Sequence, residues 1–98
     1  MYKDIITYEL AENITEDQLL AVASRIIEEW MRELDGFQKW EIHKMKDGTY
    51  TDIVYWETME DAKSAEAEMM KIPNAAEWYG CYKQGTIKGS GATLLANF

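Results

Sequence analysis

A change of side-chain periodicity between Thr51 and Ala67 constrains the fold of this 98-residue chain more than any other feature. From Thr51 to Trp56 the residues are mostly β-branched or aromatic, which predicts a buried strand. From Met59 onward the apolar residues recur at helical spacing, and Thr58 is placed to cap that helix. A strand therefore leads directly into a helix, with Trp56 at the junction.

The rest of the chain predicts three further strands and two further helices. In chain order, the predicted elements are a strand over Tyr2 to Leu10, a helix from Thr15 to Leu34 with a Thr15/Gln18 capping box, strands over Phe37 to Met45 and Thr49 to Glu57, a helix over Met59 to Lys71, a short irregular helix over Asn74 to Tyr82, and a strand over Ala92 to Phe98. Asp47-Gly48 predicts a two-residue hairpin loop between the second and third strands. The glycine-rich stretch from Gly85 to Gly91 is expected to be loose.

The order β-α-β-β-α-β is that of the ferredoxin-like α+β fold, in a single domain spanning residues 1–98. Its crossovers place both long helices on one face of a four-stranded antiparallel sheet. Apolar residues are predicted on both faces: on the third strand Ile53 and Tyr55 oppose Val54 and Trp56, and on the second Trp40 and Ile42 oppose Phe37 and Met45. An apolar sheet face without helices needs a partner, so we expect a homodimer that forms through this face.

Charge and composition exclude several classes of partner. The net charge of −8 argues against nucleic acid and against anionic membrane surfaces. No apolar run approaches the roughly 20 residues of a membrane span. Cys81 is the only cysteine and cannot form an internal disulfide. A cytoplasmic location is therefore expected.

With these residues placed, the chain resembles the antibiotic-biosynthesis-monooxygenase-like family of dimeric α+β barrels. The resemblance is carried by the strand from Asp52 to Trp56 and the helix start Met59-Glu-Asp-Ala, with Gly36-Phe37 and Asp47-Gly48 fitting the same pattern. It implies a homodimer whose two sheets close into a barrel. It also implies a pocket within each protomer, between sheet and helices, lined by a tryptophan at the end of the third strand. Trp56 matches that position.

The resemblance also bears on chemistry. Some members of the family oxidise aromatic polyketides or quinol-like compounds without metal or flavin, so no cofactor is expected. Others degrade haem with an asparagine on the first strand and a histidine on the second helix. This chain has Ile5, Ile6 or Thr7 at the first of these places and no histidine within residues 59–71.

Asp52 is the best candidate for a catalytic residue, because it interrupts an apolar and aromatic strand. Strand periodicity places it on the same face as Val54 and Trp56. If it is buried, its pKa should rise or it must find a hydrogen-bond donor, and it could then act as a base. The alternative is a solvated or salt-bridged carboxylate near the hairpin.

Five aromatic residues could bind a planar substrate, although residues of this kind also build cores. These candidates are Tyr8, Trp30, Trp56, Trp78 and Tyr79. His43, the only histidine, is expected to face solvent or the dimer seam, and Cys81 to be an inert small hydrophobe.

Two functions remain open at this point. The first is a cofactor-independent, monooxygenase-like protein acting on a small aromatic molecule of the phenol or quinol type. The second is a non-catalytic homodimer that binds a small ligand or another protein. An enclosed cavity reaching Asp52 and Trp56 would favour the first.

Overall fold

The computed structural model describes all residues, 1–98, and confirms the α+β architecture. Its elements are β1 (Tyr2–Tyr8), α1 (Glu16–Glu29), a 3₁₀ turn (Met31–Glu33), β2 (Phe37–Lys44), β3 (Tyr50–Trp56), α2 (Met59–Met69), α3 (Ala75–Tyr79) and β4 (Lys88–Thr93). The four strands form one antiparallel sheet in the order β2-β3-β1-β4. None of the helices has the length and apolar character needed to cross a membrane.

Both long helices begin at the threonine caps expected from the sequence. The Thr15 hydroxyl accepts a hydrogen bond from the Gln18 backbone N–H at 3.2 Å, and the Thr15 N–H donates to the Gln18 side chain at 2.8 Å. At the start of α2 the Thr58 hydroxyl accepts from the Asp61 N–H at 3.1 Å. Each cap satisfies an amide that the helix leaves free, which is typically worth about 1 kcal/mol.

Helix α1 ends earlier than its apolar stripe predicts. It stops at Glu29, and Trp30 leaves the helical conformation with φ −145° and ψ −61°. The 3₁₀ turn that follows carries Met31 into the core, where it is 2% exposed, while Trp30 is only partly buried. The prediction of a continuous helix to Leu34 was therefore wrong by one turn.

The β2–β3 hairpin has a three-residue loop, not the predicted two-residue loop. The Met45 N–H donates to the Thr49 carbonyl at 2.8 Å, which leaves Lys46, Asp47 and Gly48 between the paired residues. A two-residue type I′ turn needs positive φ at both central residues, but here only Gly48 has it, at +89°. Asp47 instead accepts hydrogen bonds from the Thr49 N–H and hydroxyl.

A β-bulge in β2 changes which side chains face the helices. Phe37 pairs with Trp56, yet Lys39 pairs with the next residue, Tyr55, so Gln38 is an extra residue in the strand. As a result Phe37, Trp40 and Ile42 all face the helices and pack against the core. The predicted opposition of Trp40 and Ile42 to Phe37 was wrong, and Met45 follows the end of β2, where it closes the hairpin loop with Thr49.

The last strand lies in the glycine-rich stretch that was expected to be loose. β4 covers Lys88–Thr93 and pairs with β1, whereas residues 94–98 are not in a strand. Glycine is unfavourable in strands, but at Gly91 it leaves room for the end of the Tyr2 side chain, which a Cβ would overlap. The predicted strand over Ala92–Phe98 is correct only at Ala92 and Thr93, because the pairing with β1 covers Lys88–Thr93.

Candidate functional site

A cavity of about 450 Å³ lies between the helix-facing side of the sheet and helices α2 and α3. Seventeen residues line it and twelve of them are hydrophobic. A volume of this size is within the usual range for small-molecule sites. The cavity reaches both Asp52 and Trp56, which are the two residues that the third strand was expected to contribute.

The periodicity of β3 places Asp52 in the floor of the cavity. Alternate residues of this strand are buried beneath the helices, and Asp52 is 1% exposed among them. Its Oδ1 accepts a hydrogen bond from the Tyr8 hydroxyl and its Oδ2 one from the Tyr82 hydroxyl, both at 2.7 Å. The alternative of a solvated or salt-bridged carboxylate is thereby excluded for this residue.

The two tyrosines that hold Asp52 are themselves fixed in place. Their rings stack with centroids 4.1 Å apart and planes 9° from parallel. Tyr82 lies beside the end of β1 because the Ala11 N–H donates to the Cys81 carbonyl and the Lys83 N–H to the Glu9 carbonyl, each at 2.9 Å. Backbone pairing on both sides of Tyr82 therefore sets the position of its hydroxyl.

Burial controls the acidity of this cluster. Desolvation raises the pKa of Asp52, and the hydrogen bonds from Tyr82 and Tyr8 act in the opposite direction without cancelling it. Desolvation and the neighbouring Asp52 also raise the pKa values of Tyr8 and Tyr82, so both hydroxyls remain neutral donors. Asp52 is thus a carboxyl group that takes up a proton more readily than a solvated aspartate.

The cluster continues to Trp78 on α3. Its indole N–H donates to the Tyr82 hydroxyl at 3.1 Å, and Tyr82 donates in turn to Asp52. Trp78, Tyr82 and Asp52 all line the cavity. These three side chains form a continuous line of hydrogen bonds along one wall, which we call the Asp52 network.

A second carboxyl group lies at the end of the cavity near Trp56. Asp4 of β1 pairs with Val54 and, like Glu66 of α2, lines the cavity. Burial raises the pKa of Asp4, and the charge of Glu66 acts in the same direction. Trp56 is 2% exposed and packs edge-on against Phe37 with ring centroids 5.7 Å apart.

Four of the six predicted site residues line the cavity: Asp52, Trp56, Trp78 and Tyr79. The other two, Tyr8 and Trp30, do not. Tyr8 lies behind Asp52 as its hydrogen-bond donor, and Trp30 packs against Trp78 with ring centroids 6.4 Å apart. Both therefore contact residues that line the cavity, and their part in substrate binding stays a prediction.

Sequence reasoning missed several lining residues, of which Asp4, Trp40 and Tyr82 matter most. Asp4 could have been found, because strand periodicity places it on the same face as Ile6 and Tyr8. Trp40 was predicted on the face opposite Phe37, because the sequence pattern does not reveal the bulge at Gln38. Tyr82 reaches the site through the irregular segment after α3, which no periodicity describes.

Two other residues considered from the sequence lie away from the cavity. His43 is exposed on the face of the sheet opposite the helices, where its Nε2 lies 3.2 Å from Glu41 Oε1. Cys81 is fully buried, its thiol donates to the Glu77 carbonyl at 3.5 Å, and burial raises its pKa. No group of three or more His, Cys, Asp or Glu side chains is arranged to hold a metal ion.

Comparison with solved structures gives full-length matches. The cofactor-independent oxygenase SnoaB from Streptomyces nogalater superposes with a TM-score of 0.75 at 14% identity, over 98% of this chain and 94% of its own. The chain has the antibiotic biosynthesis monooxygenase fold. The expected resemblance is thus confirmed at the level of the fold.

Two further structures have the same fold. A monooxygenase from the gene ActVA-Orf6 of Streptomyces coelicolor, in complex with the ligand nanaomycin D, matches with a TM-score of 0.67 at 20% identity, over 99% of this chain and 89% of its own. A putative antibiotic biosynthesis monooxygenase from Bordetella bronchiseptica matches with a TM-score of 0.69 at 15% identity, over 97% of both chains. No protein-family model and no curated protein matches the sequence.

Proposed function

We propose that the protein is a cofactor-independent, monooxygenase-like enzyme that acts on a small aromatic molecule of the phenol or quinol type. The observation that carries the proposal is the buried Asp52 network in the wall of an aromatic cavity of about 450 Å³. Structures of the same fold include a cofactor-independent oxygenase and a monooxygenase holding nanaomycin D. Fold alone does not assign a reaction, so the proposal depends on the residues of the site.

The chemistry suits a substrate that must lose a proton before it reacts with dioxygen. Aromatic side chains on several walls bind a planar ring, and Asp52 accepts the proton of its hydroxyl. A phenolate is more electron-rich than the phenol and is more easily oxidised. One oxygen atom of O₂ then forms a carbonyl at a ring carbon, and the other leaves as water with the hydrogen that this carbon loses and the hydroxyl proton that Asp52 accepted.

A second candidate is a homodimer that binds the same ligand without chemistry. The observation in its favour is that both oxygens of Asp52 already accept hydrogen bonds from tyrosines. A carboxylate satisfied in this way also makes sense as a purely structural group. The two candidates share a ligand and differ in whether dioxygen is consumed.

Tryptophan fluorescence tests ligand binding, which both candidates require, because three of the four tryptophans line the cavity. Phenols and quinols are expected to quench the emission of the wild-type protein. Asp52→Asn and Trp56→Ala should fold but bind these compounds more weakly, since the first removes the base and the second removes a wall of the cavity. Ser24→Ala, at an exposed position of α1, is the control and should bind normally.

An oxygen electrode separates the two candidates. An enzyme consumes dioxygen in the presence of a bound quinol, and Asp52→Asn slows this consumption. Binding without oxygen uptake for every compound tested would favour the non-catalytic protein. If no compound binds, or if both Asp52→Asn and Trp56→Ala bind as wild type does, the cavity is not the functional site.

We also propose that the chain forms a homodimer through the face of the sheet that no helix covers. The support is the position of Ile5 and Ile53, which are paired neighbours on the two central strands and point away from the helices.

A further inference from the structure

The two tyrosines bound to Asp52 differ in their access to the cavity. Tyr8 and Tyr82 donate to opposite oxygens of the carboxyl group at the same distance, 2.7 Å. Tyr82 lines the cavity and Tyr8 does not. Asp52 itself is 1% exposed, against 8% for Tyr82, so Tyr82 offers a ligand more surface than Asp52 does.

The tyrosines also differ in the hydrogen bonds that their hydroxyl oxygens accept. The Trp78 indole N–H donates to the Tyr82 oxygen at 3.1 Å, and this bond acts to lower the pKa of Tyr82 against the larger effect of burial. The Tyr8 hydroxyl donates a hydrogen bond to Asp52, but its oxygen accepts none. Tyr82 is therefore the tyrosine whose oxygen is prepared for additional negative charge during a proton transfer.

We propose that Tyr82 relays the proton from the ligand to Asp52, an inference that rests on the proposed function. The ligand hydroxyl gives its proton to the Tyr82 oxygen while Tyr82 gives its own proton to Oδ2 of Asp52. One O–H bond breaks on the ligand and one forms on Asp52. Tyr82 gains one proton and loses one, so it is neutral before and after the transfer. The products are a phenolate and a neutral carboxylic acid, so no oxidant is needed for this step.

The relay explains how a carboxylate with both oxygens occupied can still act as a base. Direct attack by Asp52 on a ligand proton would first have to break one of its two tyrosine hydrogen bonds. The relay uses the bond to Tyr82 as the path of the proton and leaves the bond to Tyr8 intact. Tyr8 then only weakens the basicity of Asp52, because it stabilises the charged carboxylate.

A pair of matched variants tests this assignment with 4-nitrophenol, whose phenolate absorbs strongly in the visible range. In the wild-type protein, part of the bound compound should show the phenolate band at a pH where the free compound is still protonated. Tyr82→Phe and Asp52→Asn should lose this band. Tyr8→Phe should retain or strengthen it, because Asp52 loses a donor and becomes more basic.

Controls separate the relay from the integrity of the cavity. 4-Nitroanisole has no hydroxyl proton and should quench the tryptophan fluorescence of the wild-type and Tyr82→Phe proteins alike. Trp78→Phe, which removes the donor to the Tyr82 oxygen, should weaken the band and provides a second variant if Tyr82→Phe does not fold. Ser24→Ala, at an exposed position of α1, should match the wild type.

The outcomes distinguish this inference from the proposed function. A wild-type band that survives in Tyr82→Phe would show that Asp52 acts without Tyr82. If only Trp78→Phe folds, a band as strong as that of the wild type would contradict the relay. A band lost equally in Tyr8→Phe would show that both tyrosines only hold the carboxylate, and binding with no band in the wild type would exclude the transfer. If neither compound binds, the proposed ligand class is wrong and the relay is excluded with it.

Discussion

Asp52 shows how a single buried carboxylate is tolerated in an aromatic core. Removing a carboxylate from water costs several kcal/mol in real proteins unless hydrogen bonds replace the lost hydration. The two tyrosine hydroxyls, each about 1.5–3 kcal/mol when bonded to a charged group, recover part of that cost. The remaining imbalance is what raises its pKa.

The raised pKa of Asp52 predicts a particular dependence of stability on pH. The folded protein holds this proton to a higher pH than the unfolded chain, so the free energy of unfolding falls as pH rises from about 3.8 through the folded-state pKa. Asp52→Asn lacks this contribution. Its stability relative to wild type should therefore improve as pH rises from 3 to 7, as measured by urea unfolding at a series of pH values.

Asp47 provides a control of opposite sign. Hydrogen bonds from the Thr49 side chain and backbone lower the pKa of Asp47 in the hairpin loop. Asp47 therefore adds to the free energy of unfolding above its pKa in the unfolded chain, and this contribution is lost as pH falls through its pKa in the folded protein. Relative to wild type, Asp47→Asn should become less stable as pH rises. A difference between wild type and Asp52→Asn that does not change with pH would contradict the assigned shift.

At the scale of an element, the end of α1 determines which residue enters the core. The helical pattern favours Trp30, four residues after the buried Ile26, but the change to a 3₁₀ turn brings Met31 inward instead. A 3₁₀ turn has three residues per turn, so it rotates the following side chains relative to the α-helical stripe. The indole of Trp30 then packs on Trp78 from the side.

Met31→Ala should therefore destabilise the protein by about 2–5 kcal/mol, from lost burial and a new cavity. Met31 is 2% exposed and also lines the ligand cavity, so collapse of neighbours around the gap is limited. Arg32→Ala, at the next and exposed position of the same turn, should change stability by less than about 0.5 kcal/mol. Equal unfolding midpoints for the two variants would show that Met31 is not a core residue.

The sequence predicts those elements whose cause is local and misses those whose cause is a distant partner. The caps at Thr15 and Thr58 follow from neighbouring residues and are confirmed. β4 exists because β1 offers it a partner, and no property of Lys88–Thr93 alone indicates a strand. In the site, Asp52 follows from strand periodicity, whereas Tyr82 is brought there by backbone pairing across some seventy residues of chain.

At the scale of the whole molecule, the sheet has one face covered by helices and one face open. The open face is less apolar than the sequence predicts, because the bulge lets Phe37, Trp40 and Ile42 all face the helices, where the pattern divided them between the two faces. Around Tyr55 it is charged: the Lys39 ammonium lies 4.6 Å from the ring centroid, and the Tyr55 hydroxyl donates to Glu41 at 2.9 Å. Only the centre, at Ile5 and Ile53, is aliphatic.

If this face forms the proposed homodimer, Ile53→Lys should convert it to a monomer, since a buried charge without a partner is costly. Stable dimer interfaces of this kind bury on the order of 2,000 Å². Sedimentation at micromolar concentration should give a dimer for wild type and a monomer near 11.4 kDa for the variant. Leu20→Lys, at an exposed position of α1, is the control and should remain dimeric. A monomeric wild-type protein would contradict the proposal.

The extra residue at Gln38 changes the alternation of β2, so that odd-numbered residues face the helices before it and even-numbered residues after it. Before it an odd-numbered residue, Phe37, points toward the helices, and after it the even-numbered Trp40, Ile42 and Lys44 do so. An ungapped alignment of this strand with a relative that lacks the extra residue would exchange inside for outside at every later position. Identity counted that way would compare cavity residues with surface residues, and would understate the likeness of two proteins with the same site.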